Sequence, residues 1–402
     1  MLTLRAAASR MYRSYRLQHG LLNQPLSRLP SSAEVYRGLV PTALLFDRVE
    51  MMERSVGVSL LLPSIWGGLS AGPMTALRFA AMVATALRRP LRVFTVDLWQ
   101  KDDEGQQRKL EGLIGMPMEV HHIGSGRIGR ASPSDLWIAT SWETAAAADI
   151  ARRCERIIPR RVVYLVQDYE PAFSPWSTSW AVAQATYHAG FHLVVNSTPL
   201  ARYLREQEGI EVRDEHVAAP DLDLSRLRRV ADARKQGPVR VFFYARPGSS
   251  RNMYDLGIAA ARRAGTLANS DWALVLGGES TRPPKIKGVE VVCLGRTDID
   301  GYYDLMSTTS VALSLMMSPH PSHPPLDWAV SGGWAVTNTF GKFRDQLHPR
   351  LLTARADPDA LGQLLARTID ETEVGPFLEP STPLGRPLTE VVDSLMSRVA
   401  LD

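Results

Sequence analysis

The chain has 402 residues, 45% hydrophobic and 22% charged, which exceeds one ordinary domain and suits two of about 150–200 residues each. Gly 29 and Pro 27 are near average usage, which excludes collagenous and low-complexity scaffolds. Two cysteines (Cys154, Cys293) cannot build a disulfide framework or a Cys-rich zinc site, and a net charge of +4 is too mild for a nucleic-acid binder.

Only six of the 46 basic residues are Lys, so the rest are Arg, the better fork for phosphate and carboxylate. Codon usage in a GC-rich genome is enough to account for most of that excess. The first 33 residues hold no acid and carry Arg5, Arg10, Arg13, Arg16 and Arg28, interleaved with Leu2, Leu4, Met11, Tyr12, Tyr15 and Leu17. Such an arm can lie on an anionic membrane surface, or pack on its own chain or a second copy. It lacks the apolar core of a signal peptide, and no run reaches transmembrane length, so the expected location is cytoplasmic, with the membrane's inner face as the peripheral alternative.

From Val58 the chain alternates strand-like and helix-like blocks. Strands are expected at Val58–Leu62, Leu91–Val96, Met118–Ile123, Leu136–Thr140, Arg161–Val166 and His192–Val195, with helices at Met74–Leu87 and Glu143–Arg153. A composition shift at Asp214–Pro238 reads as a crossing between domains. The rhythm then restarts: strands at Val239–Tyr244, Trp272–Leu276, Val289–Leu294, Val311–Leu315 and Trp334–Thr337; helices at Tyr254–Arg263, Tyr302–Ser307, Leu326–Ser331, Asp359–Asp370 and Leu388–Val399. This order implies parallel βαβ units and doubly wound sheets in two tandem domains. Ligands of such folds bind at the C-terminal strand ends, here in a cleft expected between the domains.

Two segments of the second half carry most of the chemistry. Tyr244-Ala-Arg246-Pro-Gly-Ser-Ser-Arg251-Asn252 follows a strand and opens a helix, which supplies backbone N–H groups to an anion. Arg246 and Arg251 can add charge-assisted bonds to a diphosphate, or be solvated loop residues. Leu294-Gly295-Arg296 is followed by Ser318-Pro319-His320-Pro321-Ser322-His323-Pro324-Pro325-Leu326-Asp327, a stiff loop leading into a helix. Asp327 in the first turn can cap that helix or accept a sugar hydroxyl.

In the first half, Gly67 and Gly68 let backbone approach a phosphate or sugar. Gly124-Ser-Gly126-Arg-Ile-Gly129 matches the dinucleotide glycine pattern, but no helix opens after it. Gln167-Asp168-Tyr169-Glu170-Pro171 follows the strongest strand, and its carboxylates are hydroxyl binders or turn caps. Phe173, Trp176 and Trp180 suit either a sugar face or a plain core. Three Asp-x-Asp pairs (221/223, 298/300, 357/359) and the histidines make no convincing metal set; capping is the better use of Asp298 and Asp300.

Together these segments resemble the WsaF rhamnosyltransferase group of glycosyltransferase family 4. The likeness rests on Tyr244-x-Arg246-Pro247, Arg251-Asn252, Gly295-Arg296, the Pro/Ser run to Asp327 and Gln167-Asp-Tyr-Glu-Pro171. It runs from about Val58 to Asp370. The resemblance implies a GT-B architecture with an N-terminal helical arm (1–55), an N-terminal Rossmann-like acceptor domain (56–225), a C-terminal nucleotide-sugar domain (226–385) and a closing helix (386–402).

It implies a retaining, metal-free transfer, with L-rhamnose leaving dTDP-β-L-rhamnose for a growing polysaccharide or lipid-linked glycan. The arm is then a membrane contact or a homodimer contact. By the same likeness Arg296, Asp327 and Asp168 are catalytic. Tyr244, Arg246, Arg251, Asn252, Gly295, Ser318, His320, Pro321, Pro325 and Leu326 bind the nucleotide-sugar. Gly67, Gly68, Tyr169 and Glu170 line the acceptor side. Arg296 stands where the group has Lys, Asp327 where it has Glu, and Pro319 where it has the first acid of a Glu-x7-Glu pair. An epimerase or hydrolase of the same fold, or a non-catalytic sugar-binding subunit, stays open as the alternative.

Overall fold

A computed structural model describes residues 41–53, 56–63, 65, 71–95, 104–122, 129–234 and 237–399. Residues 1–40, which hold the basic stretch, Gly67, Gly68 and residues 123–128 lie outside the described residues. The chain forms two compact units: the first from 1–195, 210–217 and 386–402, the second from 196–209 and 218–385. The crossing expected near 214–238 is therefore one of four places where the chain changes unit.

The first unit is built on a seven-stranded sheet. Its strands are β2 (Val58–Leu62), β3 (Leu91–Thr95), β4 (Met118–His122), β6 (Leu136–Ala139), β7 (Val162–Val166), β8 (His192–Asn196) and β9 (Val217–Ala218), in the order β4-β3-β2-β6-β7-β8-β9. A small parallel pair, β1 (Val49–Met51) and β5 (Gly129–Ala131), stands apart. From β4 to β8 the neighbours run parallel. Every residue of β2, β3, β6 and β7 is buried, as two-sided packing requires of an apolar run. The Ala-rich helix Ala71–Leu87 buries Leu77, Phe79, Ala80, Val83 and Ala84, and the C-terminal helix Leu388–Val399 packs on it. One buried carboxylate ties β2, β3 and β6 together: Asp135 accepts from Gly57 N (2.6 Å), Ser59 Oγ (2.6 Å) and Arg92 Nη1 (2.9 Å).

The second unit carries a six-stranded, all-parallel sheet. Its strands are β10 (Val239–Ala245), β11 (Trp272–Gly278), β12 (Glu290–Gly295), β13 (Val311–Leu313), β14 (Trp334–Asn338) and β15 (Leu351–Ala354), in the order β12-β11-β10-β13-β14-β15. Helices Tyr254–Leu267 and Pro358–Glu371 pack together over one apolar cluster, which contains Phe243, Ile258, Leu361 and Leu365. A second cluster holds Leu227, Phe242, Leu326 and Trp328, with Phe242 and Trp328 stacked at 4.5 Å.

Helices Glu104–Ile114, Thr178–Thr186, Thr198–Glu208 and Leu224–Ala233 are not in the expected order of elements. The last falls inside the stretch read as an Arg-rich crossing. Its apolar stripe is narrow, Leu227 and Val230, three residues apart on one face. Arg226 reaches Asp300 at 2.8 Å and Arg228 lies over the Phe377 ring. Here arginines cover a helix whose burial the charge pattern hides.

Candidate functional site

In the second unit the strand order reverses between β10 and β13, and the loops that follow these two strands leave the same edge of the sheet. A reversal point opens a crevice beyond the carboxyl ends of the strands, where open α/β sheets take ligands. Both motif segments of the second half lie there.

The structure joins them. Met317 N donates to Arg251 O at 2.8 Å, and Asn252 Nδ2 donates to Leu315 O at 3.4 Å. From the next strand, the Asn338 amide clasps the Met316 backbone on both sides (2.8 and 3.0 Å). Arg344, wholly buried, donates to Met316 O (2.8 Å), Pro321 O (3.2 Å) and Thr337 Oγ1 (2.9 Å). These bonds fix a Pro-rich loop that has no regular ladder of its own. Nothing in the local sequence marks Arg344 or Asn338, because their bonds to the loop reach backbone groups 22 to 28 residues away.

His320 sits at the centre of this loop, 5% exposed. Its backbone N donates to Ser318 Oγ at 3.0 Å, and Ser322 N donates to its Nδ1 at 3.0 Å. Burial first, then the positive charges of His323, Arg344 and Arg251, lowers its pKa to about 3. The ring is therefore neutral near pH 7. With Nδ1 accepting, the proton is on Nε2. That Nε2–H finds no partner among the described residues, and neither does the buried Asn252 Oδ1. Buried polar groups are normally satisfied, so an unused N–H and an unused carbonyl at one loop junction call for a partner outside the described residues, a buried water or a ligand. Ser322, at the N-cap of the helix His323–Val330, holds φ at +67°, a strained setting for a non-glycine residue.

Around this junction the arginines are arranged unequally. Arg251 is in the 3₁₀ turn Ser250–Asn252 and is one of the charges felt by His320. Arg246, just past β10, pairs with Glu279 at 3.6 Å and has its guanidinium 6.0 Å from the Tyr244 ring centroid. Gly248 N donates to the same Glu279 carboxylate at 2.8 Å, and a Cβ on Gly248 would strike it at 2.7 Å. Glu279 thus occupies the anion position that the glycine-containing loop creates. Arg296 is exposed and follows β12, two strands from β10, about 10 Å across the sheet. Gly295 turns the chain there with φ +69°, close against Ser280.

One expected position is corrected. Asp327 is not in the first turn of its helix: the helix starts at His323, so Asp327 is in the second turn and caps nothing. Its Oδ2 accepts from Tyr302 Oη at 2.8 Å, and burial raises its pKa. Leu326 is fully buried in the apolar cluster that holds Phe242 and Trp328, and Pro325 is buried beside it. All three Asp-x-Asp matches supply helix N-caps. Asp223, Asp298 and Asp357 accept from Arg226 N (3.0 Å), Gly301 N (2.8 Å) and Ala360 N (2.8 Å).

In the first unit, Asp168-Tyr169-Glu170 follows β7. Asp168 Oδ1 takes its neighbour's Tyr169 N at 2.8 Å. Glu170 accepts from Trp142 N at the start of the helix Trp142–Arg153, whose own cap is Ser141. Tyr187 Oη donates to Asp168 O at 3.2 Å and accepts from Glu170 N at 3.1 Å. These acids are buried and hold the turn. The chain then surfaces: Trp176 is 90% exposed, so the ring trio is not plain core.

Comparison with known proteins fits these two units. Family models for the N-terminal domain of WsaF and the C-terminal domain of WsaF match residues 58–197 and 239–366. The O-antigen biosynthesis protein RfbC of Myxococcus xanthus is 36% identical over 211 residues, 51% of this chain; the match spans only 15% of that relative's length. Sucrose-phosphate synthase of Thermosynechococcus elongatus shares the fold at TM-score 0.53 and 14% identity, over 86% of this chain and 96% of the other. WaaG, a glycosyltransferase involved in lipopolysaccharide biosynthesis, does so at TM-score 0.50 and 13% identity, over 78% and 90%. With both domain models matched in order across most of its length, the chain belongs to the WsaF family and carries the GT-B fold of glycosyltransferases.

Proposed function

We propose that this protein is a glycosyltransferase of surface-polysaccharide assembly, holding a nucleotide-sugar on the second unit and a glycan acceptor on the first. The observation that carries it is the junction of the loops after β10 and β13. There a buried neutral His320 Nε2–H and a buried Asn252 Oδ1, beside Arg251, lack partners among the described residues. A neutral N–H and a carbonyl suit hydroxyls or phosphate oxygens, and the arginine suits the diphosphate.

The mechanism proposed is a retaining, metal-free transfer. As the sugar leaves, negative charge grows on the diphosphate, and fixed cations must offset it. Arg246, Arg251 and Arg296 take that role. The sugar we assign is L-rhamnose from its dTDP-β form, on family likeness to the motif at 318–327. A deoxy sugar offers fewer hydroxyls, which suits a site with Pro319 in place of one acid. Residues 1–33 bring the enzyme to an anionic membrane face in this reading.

A thermal-shift screen of nucleotide-sugars tests it: dTDP-rhamnose is expected to stabilise the protein most. Stabilisation by UDP-sugars alone would sink the assignment of sugar and base, and loss of turnover on adding EDTA would sink the metal-free mechanism. One observation favours the alternative of a non-catalytic binding subunit: Asp327 is already engaged by Tyr302. Tight nucleotide-sugar binding with no extension of any glycan primer, and no epimerised or hydrolysed product by NMR, would establish that alternative.

A further inference from the structure

Trp176 is the most exposed large apolar side chain among the described residues, at 90%. Its ring stacks on Trp180, with centroids 5.4 Å apart and planes 24° apart. The backbone fixes that pair. Pro175 precedes Trp176, and Ser177 caps the helix Thr178–Thr186 by accepting from Trp180 N at 3.3 Å. A staple across a helix start has the same ring-on-ring contact, but it exists to bury both rings. Here one indole face is backed by Trp180 and the other is exposed, six residues after Glu170.

The surroundings say what that face is for. The chain has 46 Lys and Arg in 402 residues, yet none lies between Arg161 and Arg202. The rings are flanked by Ser174, Ser177, Thr178 and Ser179 and preceded by the acids Asp168 and Glu170. An aromatic that enters an anionic membrane is normally accompanied by cations. A neutral, hydroxyl-bearing ligand with a C–H face needs what is present: a flat, exposed apolar ring backed by a second ring, with small hydroxyl residues beside it in the chain.

We propose that Trp176, backed by Trp180, is a stacking platform for a saccharide ring of the acceptor glycan. The word acceptor rests on the glycosyltransfer reading above; the platform itself does not.

The test uses the full chain. Methyl glycosides of rhamnose, mannose, galactose and glucose are titrated while the indole N–H signals are followed by NMR. The signal lost in Trp176→Ala assigns this ring among the nine tryptophans. At least one glycoside is expected to shift that signal. In a coupled assay Trp176→Ala should raise the acceptor KM about tenfold, and Trp176→Tyr should restore most of it. The dTDP thermal shift should be unchanged in both variants, which also shows that they fold. Response of Trp176 to phosphatidylglycerol vesicles and not to glycosides would overturn the platform in favour of a membrane contact, and response to neither would overturn it outright. If glycosides shift Trp176 but no nucleotide-sugar is ever used, the platform stands and the glycosyltransfer reading falls.

Discussion

At the strand ends of the second unit stand Arg246, Arg251, Arg296, the buried Arg344 and a neutral His320. At those of the first stand Asp168, Glu170 and the exposed Trp176, in a stretch of 40 residues without Lys or Arg. The second sheet is parallel throughout and the first from β4 to β8, and both reverse strand order at one point, β2/β6 in the first and β10/β13 in the second. The frame is the same and the loops differ in charge. The edge of the second sheet gathers arginines, and the stretch after β7 of the first holds no Lys or Arg. The difference teaches that a shared topology fixes where a ligand binds, while a handful of loop residues fix which ligand.

The sharpest way to break this comparison is to remove a cation. Arg251→Ala and Arg296→Ala are each expected to lower kcat by about 10²–10³, the usual loss when a charge-stabilising group leaves a site. Single-turnover kinetics with saturating nucleotide-sugar will show it. If neither variant slows, the cationic edge does not serve the leaving group.

Next in size is an effect of pH. Burial lowers the His320 pKa to about 3 against 6.5 for a free imidazole. Between those values the unfolded chain binds more protons than the folded one. Stability is therefore full above about pH 6.5 and falls as the pH drops toward 3, by up to about 1.4 kcal/mol per pH unit for one such group. His216 and His348, also lowered chiefly by burial, act in the same direction. Urea unfolding at pH 7 and pH 5 should show the loss, and His320→Gln should reduce the slope. An unchanged slope would place a partner on His320 that the structure does not show.

Smaller is the cost of a cap. Asp298→Ala should destabilise by about 1 kcal/mol, through the exposed Gly301 N–H, and leave turnover intact. A collapse of activity that Mn²⁺ titration restores would instead make the Asp298 pair a metal site. The smallest effect concerns the anion position held by Glu279. Glu279→Gln removes a competing charge and should tighten dTDP binding by about 2–5-fold by calorimetry, as expected of a half-exposed pair. Weaker binding would mean that Glu279 helps hold the nucleotide.

Periodicity located most strands and helices because fully buried strands are continuous apolar runs that leave little choice. Val58–Leu62 and Val162–Val166 are the clearest. Helix Leu224–Ala233 is hidden because two buried apolar residues among four charged ones look like a linker until Phe377 and Asp300 are placed beside them. The place of Asp327 is not legible locally because the helix begins at His323, inside a Ser/Pro run that reads as loop; the run fits because Pro needs no N–H at a helix start.

By itself the sequence determined two parallel α/β halves, the family pattern and the residue types that gather at the second sheet's edge. Those follow from local order: apolar runs, loop chemistry and motif spacing. Only the tertiary structure decided that Asp327 faces Tyr302, that Leu326 is core, and that Glu279 sits where an anion would. It alone left His320 Nε2–H and Asn252 Oδ1 unsatisfied and Trp176 in water. The physical reason is the same in each case. Burial and hydrogen-bond satisfaction depend on partners tens of residues away, and no local pattern encodes whether such a partner arrives.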